Sequence, residues 1–174
     1  MEDWIPFFSS DYWWLFAALV FSRGMDLLST YIATPNLALE GNPIAKKLGW
    51  KWGGLMNFTV CVVFAAWPMV AIILVTTSLL VASKNFSVAW NMRSMGEANY
   101  QYWYSEQLMR TPMSLYLFCL GGQTALTCLV GAALVMFSSE LIPVGIGFGI
   151  MAYSAAVAFF TLLGVWRRRL AMRV

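Results

Sequence analysis

The sequence predicts an all-α membrane protein, a single integral domain of four transmembrane helices with an interfacial amphipathic helix between the second and third. Two observations carry that fold class. Of 174 residues, 60% are hydrophobic and 11% charged, whereas soluble domains hold about 45–50% apolar and about 25% charged residues. Four apolar runs, at residues 12–33, 58–82, 113–137 and 144–166, also reach the roughly 20 residues that an α-helix needs to cross a bilayer. High hydrophobicity excludes a disordered chain. The absence of histidine and the wide spacing of three cysteines exclude zinc-finger and zincin sites. Cys61, Cys119 and Cys128 all fall in apolar runs, where they read as packing residues and not as a disulfide framework.

Each element has its own signals. Trp4, Tyr12, Trp13 and Trp14 bracket the start of the first span, Trp50 and Trp52 precede the second, and Trp166 closes the fourth, as amphipathic rings prefer the water–lipid boundary. Residues 4–8 fit a short interfacial turn before Ser9, Ser10 and Asp11, which are good N-cap types. The second span carries Pro68 near its middle and is expected to kink there. Residues 84–112 mix aromatics with Arg93, Glu97, Glu106 and Arg110, and read as a helix lying on the membrane and ended by Pro112. A solvated helical loop is the competing reading. The link at 138–143 is so short that the third and fourth spans must form an antiparallel hairpin. Gly145, Gly149, Ala152 and Ala156 lie on one stripe of the fourth span, which allows close packing on the third helix or, alternatively, a homodimer.

Net charge is +3, too mild to suggest nucleic acid, so the partners expected are the bilayer and a membrane protein or second copy. Four spans put both termini on one side. Placing them and residues 84–112 in the cytoplasm puts Lys84, Arg93, Arg110, Arg167, Arg168, Arg169 and Arg173 inside. Lys46, Lys47 and Lys51 are then left outside, and a re-entrant or three-span arrangement is the alternative that relieves them. The expected location is a prokaryotic inner membrane, multi-pass, with cytoplasmic termini.

The first span is the most informative. At 100° per residue, Ser22, Arg23, Asp26, Ser29, Thr30 and Ala33 share one face, and Leu28, Tyr31 and Ile32 the other. An arginine or aspartate at mid-membrane costs about 2.5–3.5 kcal/mol, so the stripe must face protein or water, and Arg23 can pair with Asp26 three residues on. Pro35 and Pro43 confine the following loop, which can bring Glu40 and Asn42 back over the helix end. With Asp26 and Thr30 these are hard oxygen donors, a set able to hold a cation or a polar headgroup. A capped turn whose Glu40 binds Arg23 or Lys46 is the bland alternative. Asn57 and Gln123 are candidate supports.

The segments Asp26-Leu27-Leu28-Ser29-Thr30 and Glu40-Gly41-Asn42-Pro43 resemble an uncharacterised family of small bacterial and archaeal multi-spanning membrane proteins with an Asp-x-x-[Ser/Thr] … Glu-x-Asn-Pro signature. The resemblance implies that Asp26, Thr30, Glu40, Asn42 and Pro43 form the signature, and it implies no activity; Arg23 departs from the pattern. It covers residues 22–57.

No catalytic residue emerges. Without histidine there is no Ser-His or Cys-His pair, and only Asp26 is an intramembrane aspartate. A metal-dependent phosphoryl-transfer site on Asp26 and Glu40 is the one enzyme reading left. Two functions therefore compete. One is an accessory or scaffold protein that packs with a membrane partner, needing no cofactor. The other binds or transports a cation, proton or small polar solute through Arg23, Asp26, Thr30, Glu40 and Asn42. The lack of an internal repeat tilts the sequence reading to the scaffold.

Overall fold

The computed structural model describes residues 4–171, with side chains through Arg167. Glu2, Asp3 and Arg173, and the side chains of Arg168 and Arg169, lie outside the described residues. Among those described there are six helices and no strand: α1 (Ser10–Ala33), α2 (Pro43–Phe64), α3 (Pro68–Met95), α4 (Glu97–Arg110), α5 (Met113–Phe137) and α6 (Leu141–Ala171). Four of them, α1, α3, α5 and α6, are long and apolar enough to cross a membrane.

The ends of α1 follow from its sequence. Ser9 caps it by accepting the Tyr12 N–H at 3.3 Å, and Pro35 prevents continuation beyond Thr34. Its buried residues, Tyr12, Leu19, Ser22, Ser29 and Ala33, recur at intervals of seven, or of three and four. The buried residues of α3, Ala71, Ser78, Ala82 and Ala89, follow the same rhythm. Two helices with matched seams of small residues can approach closely, and α1 and α3 run side by side. Arg23 meets Ser78, Asn85 meets Ser29 and Thr30, and Asn36 meets Glu97, so numbers rise together and the pair is parallel.

A parallel pair needs a return path, and α2 supplies it. Asn42 accepts the Ile44 N–H at 3.0 Å and Pro43 occupies the first turn, so the helix starts cleanly. Gly49, at φ 66°, then bends it, a left-handed conformation that glycine adopts without strain. The remainder descends antiparallel to α1: Trp50 Nε1 donates to the Pro35 carbonyl at 2.8 Å, and Tyr12 Oη to the Val62 carbonyl at 3.0 Å. At the bottom, Ile5 N–H donates to the Ala66 carbonyl at 2.8 Å.

The second span expected at 58–82 is therefore corrected. Pro68 does not kink a helix; it begins one. Its ring and missing N–H disfavour a helix running through it, and the chain instead turns at Ala65 and Ala66, both fully buried. Trp67 packs edge-to-face on Trp4 at 4.7 Å. The spanning helix runs on to Met95, so Lys84–Met95 belongs to α3 and only α4 lies across the connection to α5. Glu97 ties the start of α4 to the end of α1 by accepting the Asn36 N–H at 3.0 Å. Desolvation is the largest single influence on Glu97 and opposes its ionisation, but bonds from Asn36 and Thr34 and the charge of Arg93 together hold its carboxyl below the usual value.

The expected α5–α6 hairpin is present, joined through Ser138–Glu140. Its close point is Gly131 on Gly147: a Cβ on either would stand 2.6 Å from the other's carbonyl oxygen. The stripe of α6 faces elsewhere. Gly145 and Gly149 pack on Ile72 and Thr76 of α3, and the Thr77 hydroxyl donates to the Gly149 carbonyl at 3.0 Å. Ala152 is exposed, and Ala156 borders the cavity described below. The expected contact of this stripe with α5 is thus corrected, because Gly145 and Gly149 meet α3 instead. Since 145 pairs with 72 and 149 with 76, α6 runs parallel to α3. With α2 as an extra traverse, the start of α1 and the end of α6 lie at opposite ends of the bundle, not together as four alternating spans require.

A Cβ at Gly149 would stand 2.6 Å from Thr76 Cβ and 3.0 Å from the Ile73 carbonyl oxygen. Gly149→Ala should therefore destabilise the detergent-solubilised protein by about 1–3 kcal/mol, read as a lowered Tm. Gly164→Ala, where nothing lies within 4 Å, should hold Tm or raise it slightly, since alanine favours a helix interior over glycine; equal Tm values for the two variants would contradict this packing.

Candidate functional site

The polar stripe of α1 is held against α3. Ser22 and Ser29 are wholly buried, while Leu28 and Tyr31 on the other face are 46% and 54% exposed. Arg23 is the centre of this contact. Its Nη1 lies 3.3 Å from Asp26 Oδ2 and donates to Ser78 Oγ at 3.1 Å, so one guanidinium nitrogen satisfies an acid on its own helix and a hydroxyl on the next. Two turns further on, the Asn85 amide donates to Ser29 Oγ at 3.3 Å and Thr30 Oγ1 at 3.2 Å.

Above this floor the α1–α2 connection folds as a built turn. Glu40 Oε1 accepts the Asn42 N–H at 2.7 Å, Asn42 Oδ1 accepts the Ile44 N–H, and the Thr34 hydroxyl accepts the Leu39 N–H at 3.1 Å. Glu-x-Asn-Pro is thus a capping device, with each polar residue bonded to backbone and Pro43 at the helix start. The capped turn expected as the bland alternative forms, but Glu40 pairs with neither Arg23 nor Lys46. Lys46 Nζ instead donates to the Ala38 carbonyl at 3.4 Å.

Floor and turn border an open-sided cavity of about 450 Å³ between α1, α2, α3 and α6. Arg23, Asp26, Thr30, Glu40 and Asn42 all line it, and so does Asn57 from α2. Two of these carry atoms without a partner: Arg23 Nε and Asn57 Oδ1 are buried and make no hydrogen bond, each a cost of about 1–3 kcal/mol. Gln123 does not belong to the site. It lies exposed on α5, which packs on α6 and not on the cavity. Among the described residues no three His, Cys, Asp or Glu side chains gather as a metal site, so a hard cation would rest on Asp26 and Glu40 with neutral oxygens.

Lys84, Asn85 and Tyr153 also line the cavity, and none was among the site residues expected from the sequence. Asn85 had a usable signal, since it continues the seam at 71, 78, 82 and 89 on α3. Lys84 was placed in a surface connection because the apolar run breaks at Ser83 and Lys84. Tyr153, on the apolar α6, carries no sequence signal that distinguishes it from a packing residue. Comparison with family models, with curated proteins and with solved structures finds no match for this chain.

If Asp26 exists to answer Arg23, removing it alone leaves a cation in a mostly buried place, whereas removing both leaves none. Asp26→Ala should lower thermal stability more than the double variant with Arg23→Ala, by on the order of 1–3 kcal/mol. Equal losses in thermal unfolding would dismiss the pairing.

Proposed function

We propose that this is a multi-pass membrane binding protein that takes a small charged or polar ligand into the cavity between α1, α2, α3 and α6, and that it performs no catalysis. The observation that carries this reading is the convergence of Asp26, Glu40 and Lys84, from three separate segments, on one cavity. A bundle that needed only to pack has no reason to hold two carboxylates and two basic groups around open space, given the cost of charge in a membrane. Such a mixed cavity suits a ligand that carries charged or polar groups of its own. Of the residues that carry the resemblance to the small prokaryotic family, Asp26, Thr30, Glu40 and Asn42 line this cavity, and the same function extends to that resemblance.

Its test is thermal stability in detergent across Na⁺, K⁺, Mg²⁺, Ca²⁺ and pH, for the wild type and Asp26→Asn. A rise that depends on an ion or on pH in the wild type and disappears in the variant supports a site, because a ligand stabilises the state that binds it. Identical flat profiles in both proteins would instead favour the second reading, an accessory or scaffold protein. One observation speaks for that one: Gln123 is exposed near the middle of α5, where a membrane partner or second copy could satisfy its amide.

The orientation we propose, in a prokaryotic inner membrane, places the start of α1 outside and the end of α6 in the cytoplasm. Lys46, Lys47, Lys51, Arg93, Arg110 and Arg167 all belong to the end of the bundle where α1 finishes, while Asp11 and Glu140 belong to the opposite end. This distribution satisfies the positive-inside rule without leaving lysines outside, and it opens the cavity toward the cytoplasmic half. In a cysteine-free background, a membrane-impermeant maleimide added to intact cells should label Asp11→Cys and spare Lys47→Cys. Any other pattern overturns the orientation.

A further inference from the structure

We infer that the ligand of this cavity is a zwitterion, with an anionic group that pairs with Lys84 and an ammonium group that pairs with Glu40. This rests on the cavity being a ligand site, and it narrows the ligand's chemistry.

Four charged side chains line the cavity, and two of them cancel. Arg23 and Asp26 form an ion pair at 3.3 Å on α1. Lys84 on α3 and Glu40 on the α1–α2 connection remain. Among the described residues neither makes an ion pair, with each other or with any other group. Glu40 gives one oxygen to the Asn42 N–H, which leaves the second oxygen and the full negative charge for a ligand. Lys84 donates no hydrogen bond to a protein acceptor among the described residues, although it is half-buried within a spanning helix. The cavity therefore holds one unanswered positive charge and one unanswered negative charge on different segments. A simple cation answers Glu40 and leaves Lys84 bare; a simple anion does the reverse. A molecule with both charges answers both, and it does so without adding net charge to a membrane-embedded space.

The rest of the wall suggests where such a molecule comes from. Leu37, Leu39, Leu48, Met56 and Phe160 line the same cavity, a surface that accepts hydrocarbon. The shared chemistry is an ammonium and an anionic group on one molecule, either a zwitterionic lipid headgroup whose chains lie along that surface or a free solute.

The experiment is calorimetric titration of the full chain in detergent with five probes. Three are zwitterions: short-chain phosphatidylethanolamine, glycerophosphoethanolamine and 4-aminobutyrate. Two carry one charge: short-chain phosphatidylglycerol and ethanolamine. At least one zwitterion should bind about tenfold or more tightly than both single-charge probes, a tenfold step being about 1.4 kcal/mol. Lys84→Gln and Glu40→Gln should each weaken that binding about tenfold or more, and Lys84→Arg should retain it. Monodisperse elution and an unchanged ligand-free Tm confirm that each variant is folded. Binding of phosphatidylethanolamine alone identifies a lipid, and comparable binding of either soluble zwitterion identifies a free solute. A single-charge probe that binds as tightly as the best zwitterion overturns the zwitterion and leaves the binding cavity standing. The zwitterion also falls if none of the three binds, or if folded Lys84→Gln and Glu40→Gln bind as the wild type does. The cavity itself falls only if, in addition, the ion and pH series is flat.

Discussion

A guanidinium inside a spanning helix is the constraint around which this protein is arranged. Arg23 cannot face hydrocarbon, and Asp26 alone answers only part of its hydrogen-bonding capacity; a further bond comes from Ser78 of α3. That contact requires α3 to lie directly along α1, and the polar residues that follow bind the same way. Because the two helices run in the same direction, the chain must first travel back, and α2 exists as that return. The extra traverse frees space beside α1 that a plain four-helix bundle would fill with side chains, and the cavity forms there.

The position of the cavity along the bundle follows from residue size. Near its start α6 presents Gly145 and Gly149, which let it sit against Ile72 and Thr76 with almost no gap. Further along it presents Tyr153, Ala156, Val157 and Phe160, and there it borders the cavity. Glycines seal one end of the α3–α6 contact and larger residues hold the other end apart. α5 stays outside this arrangement. It meets α6 at Gly131 and Gly147, and leaves Phe118, Leu126, Leu129 and Phe137 exposed to the surroundings of the bundle.

Much of the fold was legible where one strong signal acted alone. The run at 113–137 is α5 to the residue, because proline bounds it on one side and a polar link on the other. The stripe of α1 faces protein, as the cost of intramembrane charge demands. The run at 58–82 misled because hydropathy measures how apolar a segment is and not how many helices it makes. Only the chemistry of Pro68 distinguishes a kink from a new start, and Trp4, Ile5 and the buried alanines decide it. The same error hid Lys84 by ending the span too soon. At the site, Arg23, Asp26, Thr30, Glu40, Asn42 and Asn57 were legible as polar groups that had to find company. Gln123 followed the same logic and failed, since polarity indicates that a partner is needed but not which one. The small stripe of α6 was likewise legible as a packing face, while its true neighbour depended on a helix direction that no local pattern encodes.

The matched seams of α1 and α3 also bear on movement. Smooth apolar helices slide past one another at little cost, since one methyl group replaces another. Here Ser78 and Asn85 engage Arg23 and Thr30 at two levels along the axis, and they behave as the teeth of a ratchet. Displacement by one turn, about 5.4 Å, disengages both together and offers no equivalent pair to receive them. The α1–α3 pair is thus a fixed rail. Any opening of the cavity falls to what borders it without such teeth, namely the connection from Leu37 to Pro43 and the bent helix that hangs from it at Gly49.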